Sequence, residues 1–164
     1  MASATSPVHT YVYLEQANPL QAKLLQIVAA QREDLQVIRD GRFTRSQDVE
    51  RLLKPALTEL GFLHAVTSKE VPYLFATNSD FEMDFYHPHH HVALEVEKGK
   101  HFNAWRDVCK FIESPLVEHA VLLIPAEKVS KSGSRDNVFL STIDSLSNAS
   151  RIYLGLKSFF LIGY

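Results

Sequence analysis

The spacing of apolar residues changes character along the chain, and each change predicts a different element. Residues 18–41 place Leu20, Leu24, Ile27, Val28, Leu35 and Ile38 near one face of a single long helix. Asn18 is suited to its N-cap, Pro19 to its first turn, and Gly41 lies just past its end. A second helix follows from residue 44, with Thr44 and Gln47 as a capping box and Val49, Leu52, Leu53, Ala56, Leu57 and Leu60 at helical intervals. Pro55 is expected to kink it, because a proline removes one backbone donor, and Gly61 closes it.

From residue 64 the period shortens. The stretch to residue 99 carries short apolar runs between turn residues and reads as an antiparallel meander, after a strand-like lead-in over 1–17. "HVALEVE" is its clearest strand: Val92, Leu94 and Val96 share one face, and Ala93, Glu95 and Glu97 share the other. A helix returns at 102–114 with Phe102, Trp105, Val108 and Ile112 as its apolar stripe. "HAVLLIPA" reads as a strand covered on both faces, the polar stretch 127–137 as a loop, 138–154 as a helix and "SFFLIGY" as a last strand. The strand–helix–strand passage from 92 to 124 predicts a right-handed parallel crossover. The expected fold is α/β, a mixed sheet flanked by helices, in one domain over 1–164. Within it, 44–164 forms the core, and 1–43 is a lead-in whose helix is a candidate dimerisation element.

Composition changes this picture little. At 46% hydrophobic and 22% charged the chain has an ordinary globular make-up, and its net charge of −2 argues against a protein that coats nucleic acid nonspecifically. A local basic cleft beside acidic ligands remains compatible with that average. One cysteine excludes an internal disulfide framework or a CxxC zinc site. The N-terminal residues have no basic and apolar leader pattern and no run is long enough for a membrane span, so a cytoplasmic protein without membrane contact is expected.

Candidate chemistry concentrates in "DFYHPHHHVALEVEKGK". Glu95 and Glu97 on one strand face stand roughly 7 Å apart, a repulsion that a divalent cation offsets. If the preceding turn is centred on His89 and His90, Asp84 lies across from Glu95 on the same face. Hard oxygen donors of this kind suit Mg2+, or Mn2+ in its place. The neighbouring His87, His89, His90 and His91 alternate in direction around Pro88 and read as a hairpin tip, with a transition-metal site as the open alternative.

The acid of "MD" at 83–84 followed by "EVE" at 95–97 resembles the PD-(D/E)xK superfamily of restriction-type nucleases. No proline directly precedes Asp84, and Glu97 stands where that motif has lysine. The second departure is similar to the BglII and BamHI branch of type II restriction endonucleases, and the order of elements over about residues 44–164 fits it. The resemblance implies a restriction-endonuclease-like sheet with helices on both faces and a Mg2+-dependent endonuclease acting as a homodimer on double-stranded DNA. It implies that Asp84 and Glu95, with the Val96 carbonyl, hold the metal. Glu97 ligates a second ion or takes the attacking water's proton, and an acid from the first core helix, Glu50 before Glu59, stands nearby.

Several basic residues are candidates for DNA contact: Lys98 and Lys100 after the acids, and Lys128, Lys131 and Arg135 in the 127–137 loop. Arg39, Arg42 and Arg45 form a second basic patch. Cys109 reads as a packed thiol and Trp105 as core. A catalytically inactive DNA- or protein-binding module on the same fold is the alternative function.

Overall fold

The computed structural model describes residues 8–76, 78–99, 103–130 and 132–164. Six strands form one mixed sheet in the order β1-β8-β5-β4-β3-β2. They are β1 (His9–Glu15), β2 (Leu63–Val66), β3 (Met83–His87), β4 (Val92–Val96), β5 (His119–Ile124) and β8 (Ser158–Gly163). The central strands β4, β5 and β8 run parallel to one another. Antiparallel strands flank them: β1 pairs with β8 on one side, and β3 then β2 extend the sheet on the other. β4, β5 and β8 are buried along their whole length, which is why they read as near-continuous apolar runs.

Helices cover both faces. On one side lie α1 (Gln21–Ala30), α2 (Arg32–Asp40) and α3 (Ser46–Leu60), whose Leu24, Leu35, Val49, Leu53 and Leu57 pack with Phe85, Leu94, Val121 and Phe160. On the other side lie α4 (Ala104–Glu113), α5 (Val138–Ser147) and a short 3-10 helix (Ser150–Gly155). Their Ala104, Val108, Phe111, Leu146 and Tyr153 pack with Tyr86, Ala93, Leu122 and Phe159. The α/β class and the restriction-endonuclease-like mixed sheet are as the sequence pattern implies.

Several local expectations are corrected. The long first helix is two, α1 and α2, broken at Gln31. Neither glycine nor proline marks the break; both halves bury leucines against one sheet face, and packing sets the bend. Leu20, not Asn18, is the N-cap of α1; Asn18 lies before it, its Oδ1 accepting the Leu20 N–H at 2.9 Å. The α3 cap falls one residue later than expected: Asp48 accepts the Arg45 backbone N–H at 2.8 Å, and Thr44 donates to the Gly41 carbonyl at 2.8 Å. Pro55 lies on the exposed side within an uninterrupted α3. The described residues of 67–82 form no strand, although Leu74 and Phe75 are buried. Within the polar 127–137 loop β6 (Lys128–Val129) and β7 (Arg135–Asp136) form a small antiparallel hairpin.

The apolar stripe of α1 and α2 faces the chain's own sheet, so what it leaves to solvent is chiefly polar, with Val37 an exception at 72% exposure. Leu35→Ala is expected to lower unfolding free energy by about 2–5 kcal/mol, and Val37→Ala to change it by less than about 0.5 kcal/mol. Urea denaturation checks both; equal effects would refute the packing of α2 on the sheet.

Candidate active site

The hairpin between β3 and β4 sets the geometry. Tyr86 pairs with Ala93 and Phe85 with Leu94, a register that places Asp84 across from Glu95 one step further. The two acids are tied to each other's strands: Glu95 Oε1 accepts the Asp84 N–H at 2.9 Å, and Asp84 Oδ2 accepts the Val96 N–H at 2.8 Å. Ala93 belongs to the core on the α4 side of the sheet, and Glu95 faces the same way by strand alternation.

There α4 adds two groups that the sequence reading missed. Lys110 Nζ donates to Glu95 Oε2 and lies 3.5 Å from Asp107 Oδ1. Glu95 is fully buried, and Asp107 and Lys110 are each 6% exposed. The expected stripe of α4 (Phe102, Trp105, Val108, Ile112) is out of phase. Ala104, Asp107, Val108, Lys110 and Phe111 are the buried residues, Ile112 is largely exposed, and Phe102 lies outside the described residues.

Electrostatics follow from one ammonium facing two buried carboxyls, Glu95 and Asp107, and the half-buried Asp84. Burial pushes Asp84 up to about 6, against the Val96 N–H and the Lys110 charge, with Glu50 adding to the rise. Burial pushes Asp107 up to about 7, helped by the charges of Glu97 and Asp84. Glu95 is raised by burial and by Asp84. Burial works against the Lys110 ammonium, yet Glu95, Asp107 and Asp84 outweigh it and hold Lys110 above its ordinary value. With all three carboxyls ionised the cluster would be two charges short of neutral. Asp107 Oδ2 is buried with no hydrogen-bond partner.

The other expected residues are placed as follows. Glu97 sits just beyond β4; its N–H bonds the Leu123 carbonyl at 2.9 Å and its carboxylate accepts the Gly99 N–H. Glu50 is held by His64 Nε2 at 3.0 Å, whereas Glu59 is exposed. Lys98 and Lys128 line one cleft of about 830 Å³ together with Arg39, Arg42 and Arg45, so the two basic patches of the sequence are one. Lys98 donates to the Gly41 carbonyl at 3.1 Å. Arg135 is apart from that cleft, paired with Glu127 at 2.9 Å. Lys100 and Lys131 lie outside the described residues.

The histidines form the hairpin tip. His87 Nδ1 accepts the His90 N–H at 3.1 Å, and its Nε2 reaches the Leu60 carbonyl at 3.2 Å. Both contacts suit a neutral ring protonated at Nε2, in line with burial lowering its pKa. Gly61, at φ +106°, is needed there: a Cβ would stand 2.8 Å from His87 Nε2. His91 Nδ1 lies 3.0 Å from the Tyr86 hydroxyl. Cys109 is exposed rather than packed, because it falls on the outer face of α4. Trp105 is partly buried against the core and donates to Ser145 Oγ at 2.9 Å.

Among the described residues no three His, Cys, Asp or Glu side chains stand together as the ligands of one metal ion. Two opposed carboxyls, Asp84 and Glu95, and an orphaned Asp107 oxygen nonetheless match a divalent oxygen-seeking cation in donor chemistry. Among the described residues no helix is long and apolar enough to cross a membrane.

The chain matches, over residues 2–164, the model of a family described as "Putative halobacteria restriction endonuclease". It therefore belongs to that family, a restriction-endonuclease-like nuclease family. No curated protein and no solved structure matches the chain.

The raised Asp107 makes stability pH-dependent. Its proton is held more tightly in the folded state, so its contribution is full below about pH 4 and is lost as pH rises through about 7. Asp107→Asn is expected to remove a fall on the order of 3 kcal/mol across that window, read from urea midpoints in metal-free buffer. Lys110→Met, which strands Glu95, is expected to cost about 3–5 kcal/mol at pH 8 and less at pH 5. A Lys110→Met variant as stable as wild type at pH 8 would contradict the buried pair.

Proposed function

We propose that the protein is a Mg2+-dependent endonuclease that hydrolyses phosphodiester bonds of double-stranded DNA, in the manner of a type II restriction enzyme. The observation that carries this reading is the opposition of Asp84 and Glu95 across the hairpin, in a cluster where three carboxyls share one ammonium. Asp84, Glu95 and the Val96 carbonyl would hold the cation. When bound, Mg2+, or Mn2+ in its place, supplies charge neutralisation at the scissile phosphate and acidifies a water. Glu97, on the cleft wall, would ligate a second ion or accept that water's proton. Glu97 in the position of the motif lysine keeps the BglII and BamHI type of site as the nearest pattern. Lys110, from α4, supplies the ammonium that the strand itself lacks.

A palindromic site would call for a two-fold dimer. Since the apolar stripe of α1 and α2 packs inward, such a dimer would use the polar outer face of those helices or another surface. The inactive binding module is favoured by one observation, that Glu95 already holds Lys110 as its cation.

Plasmid cleavage separates the two readings. Wild type is expected to nick or linearise plasmid with Mg2+ and to leave it intact with EDTA. Asp84→Ala and Glu95→Gln are each expected to lower the rate on the order of 10²-fold or more. Intact plasmid under both Mg2+ and Mn2+ would leave the binding module as the function.

A further inference from the structure

The basic cleft is more than a collection of surface charge. It is lined by Arg39, Arg42, Arg45, Lys98 and Lys128 against only two carboxylates, Asp40 and Glu97, on a chain whose net charge is −2. Thr44, Ser46, Gln47 and Ser130 add neutral donors to the lining. Such a mixture of cations and hydroxyls is what a chain of phosphodiesters takes. Glu97 belongs to the cleft wall, and its charge is felt by Asp107 in the acidic cluster.

At the rim, between Arg42 and Thr44, stands Phe43. It is 88% exposed, the most exposed of the large apolar side chains among the described residues. The loop that presents it is fastened on both sides. Thr44 donates to the Ile38 and Gly41 carbonyls, Lys98 also donates to Gly41, and Arg45 is bound to Asp48. The Arg42 guanidinium carbon lies 5.7 Å from the Phe43 ring centroid. An aromatic ring held in water by an anchored loop, with a cation beside it, has the form of a stacking platform for a nucleobase.

We propose that this cleft seats the sugar–phosphate backbone of duplex DNA and that Phe43 wedges into one base step, stacking on the base it exposes. The choice of DNA rests on the nuclease reading; the location and the aromatic contact come from the cleft itself. The cations give salt-dependent affinity and the ring gives affinity that salt does not touch, which separates their roles.

Binding to a random-sequence 30-base-pair duplex in EDTA, followed by fluorescence anisotropy at several salt concentrations, tests it. The double variant Arg42→Ala, Lys128→Ala is expected to lower the slope of log affinity against log salt by about two. Phe43→Ala is expected to weaken binding about 5- to 100-fold at every salt concentration with the slope unchanged, and Phe43→Tyr to restore it. An unchanged slope in the double variant would overturn the cleft assignment. Wild-type affinity in Phe43→Ala would overturn the base contact, and a shifted sedimentation coefficient with that affinity would assign the ring to a dimer interface instead. If wild type binds no duplex at low salt, the DNA reading fails together with this proposal. If wild type cleaves plasmid yet its binding ignores these substitutions, only this proposal fails.

Discussion

Glu95 is a carboxylate with no exposed surface, in a central strand whose neighbours on both sides are hydrogen-bonded to it, and much of this half of the molecule is arranged around it. A buried carboxyl costs several kcal/mol unless charges and donors compensate it. Here the compensation comes from three directions. The β3–β4 register supplies the Asp84 N–H, α4 supplies the Lys110 ammonium, and Asp84 answers by accepting from Val96. Losing the register by one residue would turn both acids to the opposite, apolar face. The hairpin tip secures it: His87 clamps the end of α3, and the His91 carbonyl accepts the N–H groups of Glu118 and His119 at the start of β5.

A buried ion pair of this kind is a poor way to gain stability, since well-packed apolar residues of the same volume do as well or better. The surroundings offer apolar alternatives in abundance: Ala93, Val108 and Phe111 share that core. The chain carries three carboxyls, one ammonium and an unpartnered Asp107 oxygen instead. Local disagreement with the rules of good packing concentrates where function resides. The position agrees with this, because ligands of open α/β sheets gather beyond the carboxyl ends of the parallel strands. The acids sit at that end of β4, and Lys98 and Lys128 follow β4 and β5 directly.

The sequence displayed the frame and one half of this site. Alternation within "HVALEVE" set Glu95 and Glu97 on one face, and Asp84 joined them only on the condition of a turn centred on His89 and His90, which the β3–β4 register meets. The contribution of α4 was hidden by a choice of phase. Trp105 and Ile112 drew the apolar stripe to the wrong side, whereas Ala104, Val108 and Phe111 mark the inner face and carry Asp107 and Lys110 along its margin. Polar residues on a buried helical stripe were the available signal. The merging of Arg39, Arg42 and Arg45 with Lys98 and Lys128 was beyond reach, since it depends on how the α2–α3 connection folds over the end of β4.

That merging also explains why the net charge conveyed so little. Positive charge gathers in a cleft of about 830 Å³, while most of the chain's 19 acids lie elsewhere, so a sum over the chain hides the patch. Glu97 is one of the two acids that line it. A lysine at that position would add a sixth cation to the cleft and take an acid from its wall. Lys110 supplies an ammonium to Glu95 from α4, while Glu97 carries a carboxylate to the cleft wall. On the nuclease reading proposed above, the departure from the strand motif and the lysine on the helix would be two halves of one exchange, in which the charge is kept and the element that supplies it is changed.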